Sequence, residues 1–270
     1  MAAEAREEML HEMKAEGTGR TVLMDRTTKS SGLRYLDVVT GLVERLATTE
    51  WPHIQNASAL ICAAYRNGGK VHAFGTGHSH MLAEELFYRA GGLVDINPII
   101  FDGLTVHNDP ELSTSLERLP GLAAAILDSH GISVGDVLIA ASNSGGNAAI
   151  VEMAQLARAL GASVIAVTSL SHATSESARR TAGARLHDHA DVVIDTGGRV
   201  GDAAISIDGF DKRVAPTSTV IAAAVVNSIV AEVVEQLIAA GERPDVYTSA
   251  NLSGGDADNA RLLALRGVQS

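Results

Sequence analysis

The sequence predicts an α/β fold, a three-layer αβα sandwich in which helices cover both faces of a five-stranded parallel sheet. Composition is the first observation. Apolar residues make up 46% of the 270 residues but aromatic residues only 3%, which is typical of an aliphatic core between helices and a parallel sheet. The second observation is the alternation of strand, loop and helix patterns from Lys70 onward. Because strands separated by helices are joined by crossover connections, this alternation favours parallel pairing.

The first 33 residues are predicted to form an N-terminal arm, separate from one domain that covers residues 34–270. A charged segment that runs to about Ala15 is followed by EGTGRTVLMDRTTKSSG, which is rich in turn-forming residues. The arm contains no uninterrupted apolar stretch of the length found in signal peptides.

Two helices are predicted before the sheet begins. The first covers Tyr35 to Thr48, where apolar residues recur at steps of three and four. The second begins near Pro52, which suits the first turn of a helix, and ends near Arg66 at the capping sequence Asn67-Gly68-Gly69.

The strands and helices of the sheet region follow in alternation. The predicted strands, in chain order, are KVHAFG, LVDINPII, DVLIAAS, SVIAVTS and ADVVID. The predicted helices are Met81 to Ala90 after the first strand, Leu122 to His130 after the second, and Ala148 to Leu160, which Gly161 ends, after the third. A long helix from about Thr217 to Ala240 follows the fifth strand. The sequence shows no internal repeat and no low-complexity tract.

Charge and hydropathy argue against two classes of partner. The chain carries 32 acidic and 21 basic residues, a net charge of −11, so its surface repels nucleic-acid phosphates. Its longest apolar run, VIAAAVVNSIVAEVV, is interrupted by Asn227, Ser228 and Glu232 and predicts a buried helix, not a membrane span. The single cysteine, Cys62, cannot form an intrachain disulfide and is typical of a reducing compartment. We therefore expect a cytoplasmic protein without nucleic-acid or membrane partners.

Two polar loops follow predicted strands, Gly75–His80 (GTGHSH) and Ser142–Asn147 (SNSGGN). In an open parallel sheet, ligands bind outside the carboxyl ends of the strands, and a helix that begins there directs unpaired N–H groups at the loop. We therefore expect amides and hydroxyls, without a lysine or arginine, to hold an anionic small molecule. The predicted anion-binding residues of these loops, of the next strand end and of the long helix are Gly77, Ser79, Ser142, Asn143, Ser144, Gly145, Asn147, Thr168, Ser169 and Ser218.

Two nucleotide-binding motifs are incomplete or absent. GTGHSH contains G-x-G without the third glycine of a dinucleotide fingerprint, although Asp95 follows near the position of a ribose-binding acid. No G-K-[ST] sequence of a phosphate-binding P-loop is present. Ser and Asn before a helix are also ordinary N-caps, so each loop taken alone has a purely structural interpretation.

The segments GTGHSHMLAEELFYRAGG and GDVLIAASNSGGNAAIVEMAQLARALGASVIAVTS resemble the sugar isomerase (SIS) domain of phosphosugar isomerases and phosphosugar-binding proteins. The resemblance covers roughly Tyr35 to the C-terminus and includes a small bacterial group labelled phosphosugar or phosphoheptose isomerases. It implies a flavodoxin-like strand order, an anionic sugar ligand, no cofactor, and a homodimer or homotetramer with sites near subunit interfaces.

One loop residue departs from the family pattern. The second loop of SIS domains usually reads S-x-S-G-x-T; Ser142, Ser144 and Gly145 match, whereas Asn147 replaces the threonine that normally contacts the phosphate. A sugar phosphate is the favoured ligand, and a sulfonated or carboxylated sugar is the alternative.

Aldose–ketose isomerisation needs a base near neutrality and an acid for the carbonyl oxygen. The resemblance implies that the AEEL segment supplies the carboxylate, and only one of Glu84 and Glu85 can face the sheet edge. His78 and His80, which flank Ser79, are the histidines best placed for proton transfer.

Further polar residues have both functional and structural interpretations. His187 is a third candidate catalytic histidine. With His189 it forms an H-x-H sequence that could bind a metal, but the same residues are equally well interpreted as a loop that precedes a strand, and we expect no metal. The loop that contains His107 and Asn108 follows the second strand. TSANLSGGDADN is interpreted as a lid over a site, in this subunit or a partner, with Asn251, Asp256 or Asn259 as its candidate contact.

The expected activity is therefore isomerisation of an anionic sugar through an enediol. Two alternatives use the same fold: a phosphosugar-binding sensor without chemistry, and a lyase or etherase acting on an amino-sugar phosphate. The residues before Tyr35 are too few and too acidic for a DNA-binding helix-turn-helix, so a sensor would act through a partner protein.

Overall fold

The computed structural model describes residues 29–107, 109–177 and 183–265. Most of the predicted N-terminal arm, residues 1–28, and the loop residue Asn108 therefore lie outside the described residues.

Two helices precede the sheet, as predicted. Helix α1 spans Ser31–Arg45, so it begins inside the segment that the sequence assigns to the arm, and Ser30 accepts an N-cap hydrogen bond from the N–H of Leu33. A single π-helical turn, Leu46–Glu50, leads into helix α2, Trp51–Arg66.

Five strands form one parallel sheet, with β1 at Val71–Gly75, β2 at Ile96–Ile99, β3 at Val137–Ala141, β4 at Ser163–Thr168 and β5 at Val192–Asp195. Their order is β2-β1-β3-β4-β5. The predicted five-stranded parallel sheet and its flavodoxin-like order are confirmed. All four carboxyl ends of β1, β3, β4 and β5 consequently lie at one edge, which we call the carboxyl edge.

The remaining helices connect and follow these strands. They are α3 at Met81–Leu86, α4 at Pro110–Leu116, α5 at Leu122–Asp128, α6 at Ala148–Ala159, α7 at Leu170–Ala173, α8 at Ser218–Ala239 and α9 at Gly255–Leu265. Short 3₁₀ turns cover Gly77–His80, Asp102–Leu104 and Leu186–His189.

Two apolar cores, one on each face of the sheet, explain the three layers. Val71 and Ala73 of β1 pack with α2, α3 and α8, whereas the neighbouring Phe74 packs with α5 and α6 on the opposite face. The three central strands are buried on both faces, which accounts for their continuous apolar sequences.

Helix α8 is the one described helix that is long and apolar enough to cross a membrane by composition alone. It packs against α2 and buries Val225, Ile229 and Val233. Its apolar composition is therefore accounted for by its place in the first core, in agreement with the predicted buried helix.

Three local features differ from the sequence predictions. Helix α3 ends at Leu86 instead of Ala90, because Phe87 is extended, Tyr88 has a φ of +45°, and the Tyr88 ring packs edge-on against Tyr247 at 4.9 Å between centroids. Helix α4 and an antiparallel hairpin, β6 at Ala203–Ile205 with β7 at Val214–Pro216, are not predicted.

A buried ion-pair network joins β1 and β3 at the opposite, amino edge of the sheet. His72 Nε2 lies 3.1 Å from Asp136 Oδ2, and Asp136 also accepts the N–H groups of Lys70 and Ser133 at 2.8 Å each. Burial lowers the pKa of His72 although Asp136 acts to raise it. Burial alone would raise the pKa of Asp136, but the two backbone donors and His72 together lower it below its usual value.

We predict that His72 makes the fold less stable in mild acid. A histidine whose pKa is lowered by folding binds fewer protons when folded than when unfolded, so its stabilising contribution is present above about pH 6.5 and is lost as the pH falls further. Urea unfolding should therefore give a smaller free energy of unfolding at pH 5.5 than at pH 7.5. In His72→Gln, which keeps a donor for Asp136 but does not titrate, this difference should shrink.

His53→Gln is the control, because His53 is half exposed beside Glu50 at 3.0 Å and belongs to another region. It should leave the pH dependence close to that of the original chain. Equal pH dependence in the His72→Gln and original chains would contradict the prediction.

Candidate functional site

A narrow cleft opens at the carboxyl edge on the face covered by α3 and α8. Its walls come from the first loop, the ends of β3, β4 and β5, and the start of α8. The lining residues are His78, Ser79, Leu82, Ala141, Ser142, Asn143, Val167, Thr168, Thr196, Ser218, Thr219 and Ala222. The structure thus brings together five predicted binding residues, Ser79, Ser142, Asn143, Thr168 and Ser218, with one predicted catalytic residue, His78.

The cleft is polar without formal charge. Among the described residues that line it, none is a lysine, arginine, aspartate or glutamate, and His78 is the one titratable side chain. Six hydroxyl groups and the Asn143 amide face an apolar wall made by Leu82, Val167 and Ala222. Few polar groups on an apolar wall are typical of a small-molecule site.

Ser142 is arranged to donate a hydrogen bond into the cleft. Its Oγ accepts the N–H of Gly145 at 3.0 Å, so its own proton stays available. Gly145 closes this turn with a φ of +60°, and an added Cβ would lie 3.3 Å from Thr168 Oγ1. Position 145 therefore requires glycine for two reasons: the backbone has a positive φ, and β4 lies too close to leave room for a side chain.

Two polar atoms at the cleft have no hydrogen-bond partner among the described residues. Thr196 is 3% exposed, and its Oγ1 is buried without a partner, as is Oδ1 of Asn143. A buried polar atom without a hydrogen bond lowers the stability of the fold by about 1–3 kcal/mol. Such atoms therefore indicate a binding site at which the ligand supplies the missing hydrogen bonds. Thr196 is absent from the predicted residues, although it directly follows β5 and the strand-end rule would have found it.

His172 is a second residue that the sequence prediction missed. Its Nδ1 lies 3.3 Å from Nδ2 of Asn143, which as a donor requires Nδ1 to be unprotonated. Burial lowers the pKa of His172, opposed by Asp202 and assisted by Arg185. A neutral His172 therefore positions the Asn143 amide at neutral pH.

A buried arginine lies behind the second loop, although no lysine or arginine is among the described residues that line the cleft. Arg185 is 5% exposed, and its Nη1 lies 3.4 Å from the carbonyl oxygen of Ser144. It does not line the cleft but approaches the loop from behind. Because Arg185 follows Ser144 by 41 positions, no local pattern in the sequence indicates this contact.

The second half of the loop turns away from the cleft toward this arginine. The carbonyl oxygen of Gly145 accepts the N–H of Leu186 at 2.8 Å, and Asn147 occupies the N-cap position of α6, on the other face of the sheet, without a side-chain capping hydrogen bond. Ser169 donates to Gly198 O at 2.6 Å and caps α7. The predicted binding residues that do not line the cleft are Gly77, Ser144, Gly145, Asn147, Ser169 and Asn251.

The start of α8 is already occupied by a carboxylate. Asp202 accepts the N–H groups of Thr217 and Ser218 at 3.0 and 2.9 Å, and the Ser218 hydroxyl at 2.5 Å. Since an acidic cap satisfies these donors, they are not available to a second anion. Ser218 lines the cleft as an acceptor, not as the predicted donor.

The candidate carboxylates lie outside the cleft. Glu85 pairs with Arg89 and accepts a hydrogen bond from Asn227 Nδ2 at 2.7 Å, whereas Glu84 lies beside His80, with Oε1 3.5 Å from Nε2. Glu84, Glu85 and His80 are therefore not brought to the cleft of one chain.

His187 is also placed elsewhere. Its Nε2 lies 3.7 Å from Oδ1 of the adjacent Asp188, in the 3₁₀ turn before β5. It does not line the cleft. The structure therefore separates His187 from His78, with which it is predicted to share the catalytic site.

The predicted lid lies at the amino edge of its own chain. Val246 forms a β-bridge with Leu93, which precedes β2. The buried Asn259 side chain accepts the N–H of Thr248 at 3.0 Å and donates to its carbonyl oxygen at 2.7 Å. Asn251 is exposed in the turn before α9. Any contact of this segment with a cleft would have to be made in a partner subunit.

Comparison with known proteins agrees with this architecture. Residues 34–169 match the family model described as SIS domain. The chain therefore belongs to the SIS-domain family.

Within that family, it is similar to two UPF0309 proteins. It is 40% identical over 229 residues to the one from Listeria monocytogenes, covering 85% of this chain and 93% of that one. It is 42% identical to the one from Brucella anthropi, covering 86% and 94%. Among solved structures, a phosphoheptose isomerase from Francisella tularensis shows 18% identity and a TM-score of 0.49, covering 74% of this chain and 94% of that one.

We predict that Gly145→Ala destabilises the fold by about 1–3 kcal/mol, because a side chain is strained at positive φ and the new Cβ crowds Thr168 and Leu186. Urea unfolding would measure the loss. Gly131→Ala is the matched control, since Gly131 has a φ of +63° but nothing within 4 Å of its Cβ position. Equal losses in the two variants would show that the contact with β4 does not matter.

Proposed function

We propose that the cleft binds an anionic sugar, with a sugar phosphate as the favoured ligand, and that the chain interconverts its aldose and ketose forms. The observation that carries the proposal is the uncharged, hydroxyl-rich cleft at the carboxyl edge, where Asn143 Oδ1 and Thr196 Oγ1 are buried without partners. Membership of the SIS-domain family supports it.

The chemistry of the lining suits a carbohydrate. Sugar hydroxyls both donate and accept hydrogen bonds, so they can supply the hydrogen bonds that the buried oxygens of Asn143 and Thr196 lack. Ser142 offers its proton to an anionic group, and charge-assisted hydrogen bonds of this kind are the stronger ones.

In the proposed isomerisation, a base removes the proton from C2 of the open-chain aldose, while O1 gains a proton. The resulting enediol loses the proton of O2, and C1 gains the proton, which leaves the ketose with no net uptake or release. Among the described residues that line the cleft, His78 is the one titratable residue, so we assign the proton shuttle to it. The neighbouring hydroxyls would stabilise the developing negative charge on the enediol oxygens.

One observation favours a second candidate, a sugar-phosphate sensor. No carboxylate is among the described residues that line the cleft of one chain. If a partner subunit supplies no carboxylate either, the site binds its ligand without the base that the family resemblance implies. Proton exchange at the sugar separates the two functions.

We expect sugar phosphates to raise the melting temperature of the chain, because a ligand that binds the folded state stabilises it. Sugar sulfonates tested in parallel identify the anion. Ser142→Ala should weaken binding by about tenfold or more, since hydrogen bonds to charged groups are worth about 1.5–3 kcal/mol. Ser133→Ala, at an exposed serine outside the cleft, is the matched control.

For each sugar that binds, proton NMR in deuterated water should show exchange at C1 or C2. His78→Gln should keep binding and lose this exchange. Binding without exchange in the original chain supports the sensor and overturns the isomerase. Absence of binding by any anionic sugar overturns both.

We also propose that the chain forms homodimers or homotetramers through α1. No residue of α1 is fully buried, and Leu33, Leu36 and Val43 share one exposed face of it. Light scattering should give at least twice the monomer mass. A Leu36→Glu variant should shift the mass toward the monomer, whereas Leu119→Glu, at an exposed leucine outside α1, should not.

A further inference from the structure

We propose that His80, Glu84 and His107 form a binding site for a divalent transition-metal ion such as Zn²⁺. One ligand atom from each side chain can be chosen so that all three lie within 4.8 Å of one another. None of the three lines the cleft. The proposal departs from the sequence prediction, which expects no metal, and it does not depend on the proposed sugar.

His80 supplies the main evidence. Its side chain is 2% exposed, and Nδ1 is hydrogen-bonded to the carbonyl oxygen of Gly77. Because a carbonyl only accepts, Nδ1 carries a proton, and in the neutral ring Nε2 then carries the lone pair. Nε2 is buried and makes no hydrogen bond.

This geometry is the one expected of a histidine ligand. Metal-bound histidines usually donate their other N–H to a carbonyl or carboxylate, which fixes the tautomer and the ring orientation. Gly77 does this for His80, and the free lone pair lies 3.5 Å from Glu84 Oε1. A bound cation would accept the lone pair of Nε2 and balance the negative charge of the Glu84 carboxylate.

The other two ligands can close on an ion. A tetrahedral Zn²⁺ with bonds of 2.0–2.1 Å holds its ligand atoms about 3.3 Å apart. Glu84 is 49% exposed at its side chain, and His107 is exposed in the loop after β2, so both can move. The rings of His80 and His107 already meet edge to face at 5.0 Å between centroids.

The donor set selects the class of metal. Two imidazoles with one carboxylate suit Zn²⁺ and similar transition ions, whereas Ca²⁺ and Mg²⁺ prefer oxygen ligands alone. Three protein ligands leave a fourth position for water or another ligand. The ion would tie the loop after β2 to the 3₁₀ turn Gly77–His80, which also carries His78 and Ser79 of the cleft.

The H-x-H of His187 and His189 is a weaker candidate. His189 Nε2 lies 2.9 Å from Gln155 Nε2, and these two histidines do not join any group of three ligands among the described residues. The structure therefore favours the cluster at His80 over the pair that the sequence suggests.

Metal titration of the full chain tests the proposal after treatment with a chelator. Calorimetry should show one Zn²⁺ bound per chain, and Co²⁺ should give the visible absorption of a four- or five-coordinate ion. Glu84→Gln and His107→Ala should each weaken Zn²⁺ binding by about tenfold or more, since even the outer partners of ligands are worth about 10–100-fold. Glu85→Gln and His187→Ala are the matched controls and should bind as the original chain does.

Each outcome decides the proposal. Loss confined to the Glu84 and His107 variants, with metal-free melting temperatures unchanged, supports it. No Zn²⁺ binding by the original chain would leave His80 and His107 as a ring pair only and overturn it. Equal binding by the Glu84 and His107 variants, or loss in the His187 variant, would place the ion elsewhere and also overturn it. No sugar is present, so the result is separate from the sugar proposal.

Discussion

Parallel pairing in register along β1, β3, β4 and β5 is the constraint on which the cleft depends. Gly75 lies opposite Ala141, Ala141 opposite Val167, and Thr168 opposite Asp195. Four loops therefore leave the sheet at nearly one level and enclose one space. A change of register by one residue would turn each strand's side chains to the other core and separate these loops. The apolar packing of both faces thus fixes the position of the polar site, and the first core also supplies the apolar wall of the cleft.

Uncharged donors give this site a particular electrostatic character in a chain whose net charge is −11. Arg185 behind the second loop and Asp202 on the start of α8 are formal charges that lie close to the lining but outside it. Neutral hydroxyls lose less hydration free energy on burial than charged groups do. Recognition would then depend on the direction of hydrogen bonds, which discriminates between similar sugars more sharply than a single charge.

The sequence predicts the architecture better than the details of the site. Strand order and layers follow from apolar patterns and family resemblance, because burial on both faces dictates those patterns. Ser142 and Thr168 are found because Ser142 directly follows β3 and Thr168 ends β4. Arg185 and Asp202 are missed, because tertiary contacts bring them to the site from distant positions. The end of α3 is wrong for the same reason, since Tyr247 packs on Tyr88 and overrides helix propensity.

The short stretch from His78 to Glu85 faces three environments within eight residues. His78, Ser79 and Leu82 line the cleft, His80 and Glu84 belong to the cluster beside it, and Glu85 pairs outward with Arg89. Because α3 has only six residues, a backbone shift caused at one of these environments is transmitted to the other two. Double substitutions here should be strongly non-additive, in contrast to pairs of substitutions on well-separated elements. Evolution would therefore tend to exchange this segment as a block.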